Sequence, residues 1–499
     1  MILLLVVAAA AIRFLHLASK PFWFDECFSA EVARIRWSDF LHLLWWREAN
    51  MSLYYVLLRA WLSLNRHYGQ SPFFIRSLSV VIVAATLPAI YWLARLLYDR
   101  RVALIAAALF TFNAYSVRYA QEARSYALFL LLATLSSGFL ISFLREPVRR
   151  NWRGYVLVSI LAAYAHFYAL LLVAGQWLAV KWLGNFRNSE NETAARSAQV
   201  RRAWIAIGIA VLPLLVFMAK TGAGPIRWIT RPGLRDVLEF YENLAGGNNW
   251  GLLLIYAVAC VAAVMPLGKK LFARGQSWET NWETWRAQFL LIWLIFPVLL
   301  TVLLSFARPV FLGRYMIFCL PALLILVAAG LARLRKEWLL AGVLSGILLL
   351  GLQGVLFVYG NDFDTERDAS GAASDFILDH SEPGDAVIFH IAATRVAYEF
   401  FSSLRSEENA DRVQFGPEII FPHHGDSLDY RDFTGKPTED LLRAARASHA
   451  RVWVMLMNNG AKENPDATTV MLTRVLSESF ASVNRWEFAK VEVRLYSRP

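Results

Sequence analysis

Cysteine is nearly absent from this sequence: Cys27, Cys260 and Cys319 are the three in 499 residues. They give no paired framework, and the last two fall inside apolar runs, so disulfides are not what holds this chain. Charge is scarce as well. Charged residues make up 18% against 57% hydrophobic, and a mean hydropathy of +0.41 with 19 tryptophans is too apolar for a soluble domain of this length. The chain lacks an internal repeat of the kind many transporters carry. Met1 to Leu17 has no positively charged start and no small-residue cleavage site before Lys20-Pro21, so an uncleaved, rather short first span is expected. Histidines and carboxylates show no secure metal-ligand spacing, which leaves a divalent ion open as a cofactor.

Long apolar runs are what the chain has instead. Runs of about 18 residues with almost no charge cross a hydrocarbon core of roughly 30 Å, and hydropathy suggests about eleven of them. They are expected at 2–17, 73–97, 102–115, 127–144, 155–165, 168–183, 204–219, 250–267, 289–305, 315–331 and 338–359. The basic residues cluster in alternate loops, at 99–101, 145–153, 187–202, 269–286 and 333–336. Placing those loops in the cytoplasm satisfies the positive-inside rule, with the N-terminus inside and the C-terminal tail outside. The net charge of +11 is uneven: residues 361–499 carry about 15 basic and 23 acidic side chains, near −8, and the first 360 carry near +19. Loop charge that sets topology therefore explains the basic pI better than nucleic-acid binding does.

The first outer loop, about Ala18 to Pro72, opens with Trp23-Phe-Asp25-Glu26, two adjacent carboxylates where the membrane ends. Water would hold such a pair without consequence, whereas an enclosed cavity would make it reactive. Trp37 to Trp46 and Leu53 to Leu62 read as helices lying in the membrane interface, with Ser38 or Asp39 as a cap on the first. The second outer loop, Arg118-Tyr-Ala-Gln-Glu122-Ala-Arg124-Ser-Tyr126, leads into the fourth span. As the first turns of that helix it would put Arg118, Glu122, Ser125 and Tyr126 on one face. Two guanidiniums there can hold phosphate bidentately. An Arg118–Glu122 surface ion pair with snorkelling arginines is the plainer reading, but polar density at this depth favours a site.

Arg308 and Arg314-Tyr315 add positive charge to the same side between the ninth and tenth spans. His166 lies at that level between the fifth and sixth, a candidate substrate contact although a lone histidine is more often structural. Lys220 to Asn249, with Gly222, Gly224, Gly246 and Gly247, could act as a lid. The tail from Asn361 alternates strand-like 386–391, 451–457 and 491–496 with helix-like segments such as 438–449, which suggests a small soluble α/β domain. His423-His424 with Asp426 reads as solvated surface before a metal site. Acceptor recognition, or a cap over the membrane cavity, is the expected role of this domain.

These residues carry a resemblance. The chain resembles the GT-C glycosyltransferases, in the bacterial branch related to protein O-mannosyltransferases and the lipid A aminoarabinose transferase. The matching pieces are Trp-Phe-Asp25-Glu26, the Gln-Glu122-Ala-Arg124-x-Tyr126 pattern, and Arg-Pro…Arg314-Tyr315, within residues 1–360. Where the branch often shows Pro-Pro-Leu-Tyr after Asn or His, this chain reads Asn50-Met-Ser-Leu-Tyr54. The resemblance implies a GT-C-like membrane catalytic domain over 1–360, a periplasmic domain over 361–499, and residence in the inner membrane. It also implies a polyprenyl-phosphate-linked sugar donor and an inverting transfer on the outer face to a lipid, glycan or protein acceptor.

The residues fit that chemistry. Asp25 serves as the base that takes the acceptor proton, with Glu26 orienting it, holding an ion or raising its pKa. Arg118, Arg124 and Arg314 offset charge on the leaving phosphate, and Glu122 orients an arginine or meets sugar or metal. Tyr126, Tyr315, Asn50, Tyr54 and His166 complete the expected substrate contacts. A lipid-linked sugar transporter or flippase is the alternative, but its functional charges should lie near mid-span, on broken helices. A non-catalytic assembly or sensor protein is the third reading, and the intact Asp-Glu pair with three arginines argues against it.

Overall fold

The protein is described by a computed structural model, which covers every residue except 47, 65–70, 183–189, 222–228, 248, 273–281, 361–366, 409–415, 423–434, 458–459, 462–463 and 499. The expected lid and the His423-His424-Asp426 cluster therefore fall wholly or partly outside the described residues. The chain begins with α1 (Ile2–Phe14), α2 (Phe24–Val32), α3 (Trp37–Trp46), α4 (Ser52–Ser63), α5 (Pro72–Leu97), α6 (Arg100–Thr111) and α7 (Ala114–Ala120). It continues with α8 (Tyr126–Arg145), α9 (Arg149–Ala165), α10 (Ala169–Trp182), α11 (Glu190–Thr221), α12 (Leu234–Ala245), α13 (Trp250–Phe272) and α14 (Trp282–Ser305). A 3-10 helix, Gly313–Cys319, runs into α15 (Leu320–Leu331), and α16 (Glu337–Gly360) follows.

The tail folds as α17 (Ser370–His380), β1 (Ala386–His390), α18 (Arg395–Glu408), β2 (Glu418–Phe421), α19 (Glu439–Ser448) and β3 (Arg451–Met457). The short pair β4 (Gly460–Ala461) and β5 (Asn464–Pro465), then α20 (Ala467–Ser479), β6 (Ser482–Phe488) and β7 (Val491–Ser497), complete it. Two compact units result. One contains 1–17, 48–54 and 76–361; the other contains 18–47, 55–75 and 362–499. The second thus joins most of the first loop to the tail.

The first unit is a bundle of apolar helices. By length and composition six described helices can cross a membrane, and eight if each of two bent pairs counts as one span. Helices α1 and α10 are apolar but shorter. The chain is a multi-pass membrane protein. The expected third span is broken: α6 and α7 meet at 59° across Phe112-Asn113. Asn113 caps α7 by accepting the Ser116 N–H at 2.8 Å, and its amide donates to the Leu244 carbonyl at 3.0 Å. The carbonyls freed at the end of α6 are taken up by Arg13, whose buried guanidinium donates to Phe110 at 2.9 Å and Thr111 at 3.3 Å. Apolar α15 is buried along its whole length, and a Cβ placed on Gly330 would stand 1.9 Å from the Ala259 carbonyl oxygen. Only glycine lets these backbones approach so closely.

In the second unit a five-stranded sheet has the order β2-β1-β3-β7-β6, with β2, β1 and β3 parallel and β7 and β6 antiparallel. Side chains alternate between its faces. Val387, Phe389, Trp453, Met455 and Val493 bury one face against α17 and α18, whereas Ala386, Ile388, Val452 and Val454 bury the other against α19 and α20. The expected strands at 386–391, 451–457 and 491–496 are present. The edge strands β2 and β6 were not expected; β2 is only four residues long, and β6 is mostly exposed and so carries a less apolar pattern. Helices α3 and α4 form where interfacial helices were expected, and α3 leaves Trp37, Leu41, Trp45 and Trp46 exposed around buried Phe40 and Leu43.

Candidate functional site

The first unit gathers most of the expected polar residues around the gap between α9 and α10. His166 is the extended residue that closes α9, and it is buried. Its Nδ1 accepts the Tyr168 N–H at 3.2 Å, which places the proton of the neutral ring on Nε2. That Nε2 is buried and has no hydrogen-bond partner among the described residues. The ring stacks on Phe129 with centroids 5.1 Å apart and meets Tyr315 at 4.8 Å and Tyr168 at 5.3 Å. Burial first, and then the Arg124 and Arg314 charges, push its pKa down to about 3. The imidazole is therefore a neutral N–H donor beside two guanidiniums.

Arg124 lies in the turn 121–125 rather than on a helix. Arg118 to Tyr126 was expected as the opening of one helix; instead α7 stops at Ala120 and α8 starts at Tyr126. Gln121 fixes the turn by donating to the carbonyls of Arg13 at 3.2 Å and Leu15 at 2.7 Å. Arg118 consequently belongs to α7, with its guanidinium 5.4 Å from the Tyr119 ring centre. A run of tyrosines links these pieces: Tyr119 meets Tyr126 at 5.1 Å, and Tyr126 meets Tyr315 at 6.3 Å. The Tyr115 hydroxyl donates to Gly313 at 2.9 Å, which ties α7 to the strand of chain before Arg314. Glu122 and Arg124 are both buried, and Arg314 is half-buried.

Asn50 closes the same region from the first loop, and Tyr54 lies buried nearby in sequence. The Asn50 side-chain oxygen accepts the Phe167 N–H at 3.0 Å, one residue beyond His166. The Tyr54 hydroxyl pairs with Ser79 at 3.0 Å. Ser52 donates to the Tyr164 carbonyl at 3.2 Å. The Asn50 and Ser52 bonds fasten this stretch to the break that shapes His166, and the Tyr54 bond ties it to α5. Tyr168 and Phe129 join the cluster without having been singled out in sequence. Tyr168 was legible only as the partner of a histidine between two apolar runs.

The two carboxylates belong to the second unit, where they occupy the first turn of α2. Negative charge is favoured at that end of a helix. Asp25 is half-buried and Glu26 fully buried, so the adjacent pair face different surroundings. Among the described residues no three histidine, cysteine, aspartate or glutamate side chains come together as metal ligands.

No protein-family model matches the sequence, and no curated protein matches it either. Solved structures do. ArnT from Cupriavidus metallidurans in the apo state superposes with a TM-score of 0.63 at 13% identity, covering 99% of this chain and 97% of that one. The same protein bound to undecaprenyl phosphate gives 0.59 at 12%, with the same coverage. The Archaeoglobus fulgidus oligosaccharyltransferase in complex with Zn and sulfate gives 0.52 at 11%, covering 90% of this chain and 67% of that one. At these identities the likeness concerns the fold, and the fold is that of the GT-C class.

Proposed function

We propose that this protein is an inverting glycosyltransferase that moves a sugar from a polyprenyl-phosphate carrier to an acceptor on the outer face of the inner membrane. The observation that carries the reading is the donor cluster of buried Arg124, half-buried Arg314 and the buried, neutral His166. Such a cluster suits an anion whose charge grows as it leaves. The neighbour of like fold that binds undecaprenyl phosphate supports a phosphate lipid as that anion. Arg118 and the hydroxyls of Tyr126 and Tyr315 add further donors, and Glu122 orients the guanidiniums. Asn50 and Tyr54 hold the cluster's outer wall.

In the reaction an acceptor hydroxyl oxygen attacks the anomeric carbon. The bond from that carbon to the phosphate oxygen breaks, and its electrons remain on the phosphate, where the arginines stabilise them. Asp25 takes the hydroxyl proton, and Glu26 supports its orientation. One displacement inverts the configuration. In this reading residues 1–360 supply the catalytic side chains, Asp25 and Glu26 from the part of the first loop that joins the tail's unit, and 361–499 lie outside with the C-terminus. A flippase would place its working charges at mid-span, whereas Arg118, Arg124 and Arg314 occupy helix ends and turns.

The test is transfer from radiolabelled polyprenyl-phosphate sugars in membranes containing the wild type or Asp25→Asn, with and without a chelator. Label in a new product with the wild type alone supports the reading, and equal transfer by both proteins removes Asp25 as the base. The chelator arm reports whether a divalent ion takes part.

A further inference from the structure

Helix α2, which carries Asp25, has no cap of its own. Trp23 holds the N-cap position and makes no side-chain bond there. A helix start leaves backbone N–H groups that need acceptors. The acceptor comes from 344 residues further along: the two carboxylate oxygens of Asp368 stand 3.2 and 3.3 Å from the Phe24 N–H. Phe24 is the first helical residue, and Asp25 follows it directly.

Asp368 is itself held firmly. Its carboxylate accepts the Ser370 N–H at 3.1 Å and the Ser370 hydroxyl. That hydroxyl also lies 3.7 Å from the Met457 sulfur, at the carboxyl end of β3. Asp368 is only 9% exposed, and its charge interacts with that of Asp25. The residues flanking Trp23 are anchored in the same domain. Phe22 stacks on Phe400 of α18 at 5.2 Å, and Phe24 packs against the sheet face that contains Val387, Phe389 and Met457. At the far end of α2 the Arg34 guanidinium sits 5.5 Å from the Phe400 ring centre.

We infer that Asp368 is a positioning residue for the transfer reaction, capping α2 from the C-terminal domain and thereby setting the orientation of Asp25. The α/β domain is then a working part of the catalytic apparatus and not an appended module. This inference rests on the reading of Asp25 as the base. A nine-residue helix has little stability alone, so its first turn is where an external cap has the largest effect. A displacement of about 1 Å at a reacting group can cost roughly 100-fold in rate.

The experiment compares Asp368→Ala, Asp368→Asn and Asp25→Asn in the full chain, with steady-state transfer from a polyprenyl-phosphate sugar and amide hydrogen exchange over residues 22–32. Asp368→Ala is expected to lower kcat by about 10- to 100-fold while the KM for the lipid donor stays within about twofold. Exchange in residues 22–32 should quicken. Asp368→Asn keeps one acceptor oxygen and should return kcat to within about threefold of the wild type, with normal exchange. An alanine variant with wild-type kcat and exchange overturns the inference, as does an asparagine variant no better than alanine. Should the alanine protein fail to accumulate, Asp368→Glu, which shifts the carboxylate by one methylene, replaces it. A folded glutamate variant with lowered kcat supports the inference, and unchanged kcat overturns it. Wild-type transfer by Asp25→Asn would remove the base assignment instead, and the exchange measurement would still decide whether Asp368 fixes α2.

Discussion

His166 and Arg13 are both buried, and opposite demands on their polar atoms give them different roles. All described bonds of Arg13 end on its own bundle: Ala9 at 2.9 Å, Phe110, Thr111, and the Ser116 hydroxyl at 2.5 Å. It is the plug of a broken helix. Arg13→Met keeps the side chain's bulk but strands these acceptors, each worth about 1–3 kcal/mol when left unpaired. A marked drop in melting temperature in detergent is the expected result. His166 instead keeps an N–H without a described partner. Because its pKa lies near 3, below the ordinary 6.5, its contribution to stability is complete above pH 6.5 and fades as the pH falls towards 3. Transfer rates should therefore show no limb from this histidine between pH 5 and 8. His166→Phe should lower kcat/KM by about 10- to 100-fold through loss of the donor, read by the same transfer assay.

At the scale of elements, the sequence was most legible where hydropathy alone decides. The helices α5, α8 and α16 begin and end close to the expected spans because an unbroken apolar run permits little else, whereas α14 starts at Trp282, ahead of the expected Phe289. Breaks were less legible. Nothing in Arg118 to Tyr126 itself says that α7 ends at Ala120, because the bonds that hold Gln121 come from the backbone of α1. The cap on α2 was illegible for the same reason, since Asp368 is an ordinary tail aspartate until the fold brings it to Phe24.

Two predictions belong at this scale. Gly330→Ala should prevent α13 and α15 from packing, because the new Cβ meets a backbone oxygen that has no room to move; loss of folded protein on size-exclusion chromatography is the readout. Glu31, between Arg34 just past the end of its helix and Glu399 of α18, has a raised pKa, mainly through burial, with Glu399 adding to the rise and Arg34 opposing it. A raised carboxyl pKa gives stability that is present below the unfolded value and lost as the pH rises through the folded one. Glu31→Gln should thus raise the melting temperature at pH 7 more than at pH 4.5.

At the scale of the molecule, the positive-inside pattern makes a direct prediction about sidedness. In a background without native cysteines, Arg150→Cys should react with a membrane-impermeant maleimide only after permeabilisation, and Ser477→Cys should react without it. Both positions are exposed. Reaction of both from one side would reject the orientation. The fold class was readable from composition, and the GT-C likeness from three short motifs. The partition of the first loop was not, because residues 18–47 and 55–75 join a unit whose other members are encoded after residue 361.

That partition has a consequence for the order of synthesis. Helix α2 leaves the ribosome among the first residues, yet its cap at Asp368 and its stacking partner at Phe400 are added only after every membrane helix has been made. A helix this short does not persist unaided in water. The turn that carries Asp25 and Glu26 is therefore expected to take shape only once residues 368 and 400 have been made. If Asp25 is the base, as proposed, a chain released before residue 400 would carry that carboxylate on an unsupported turn and would transfer nothing.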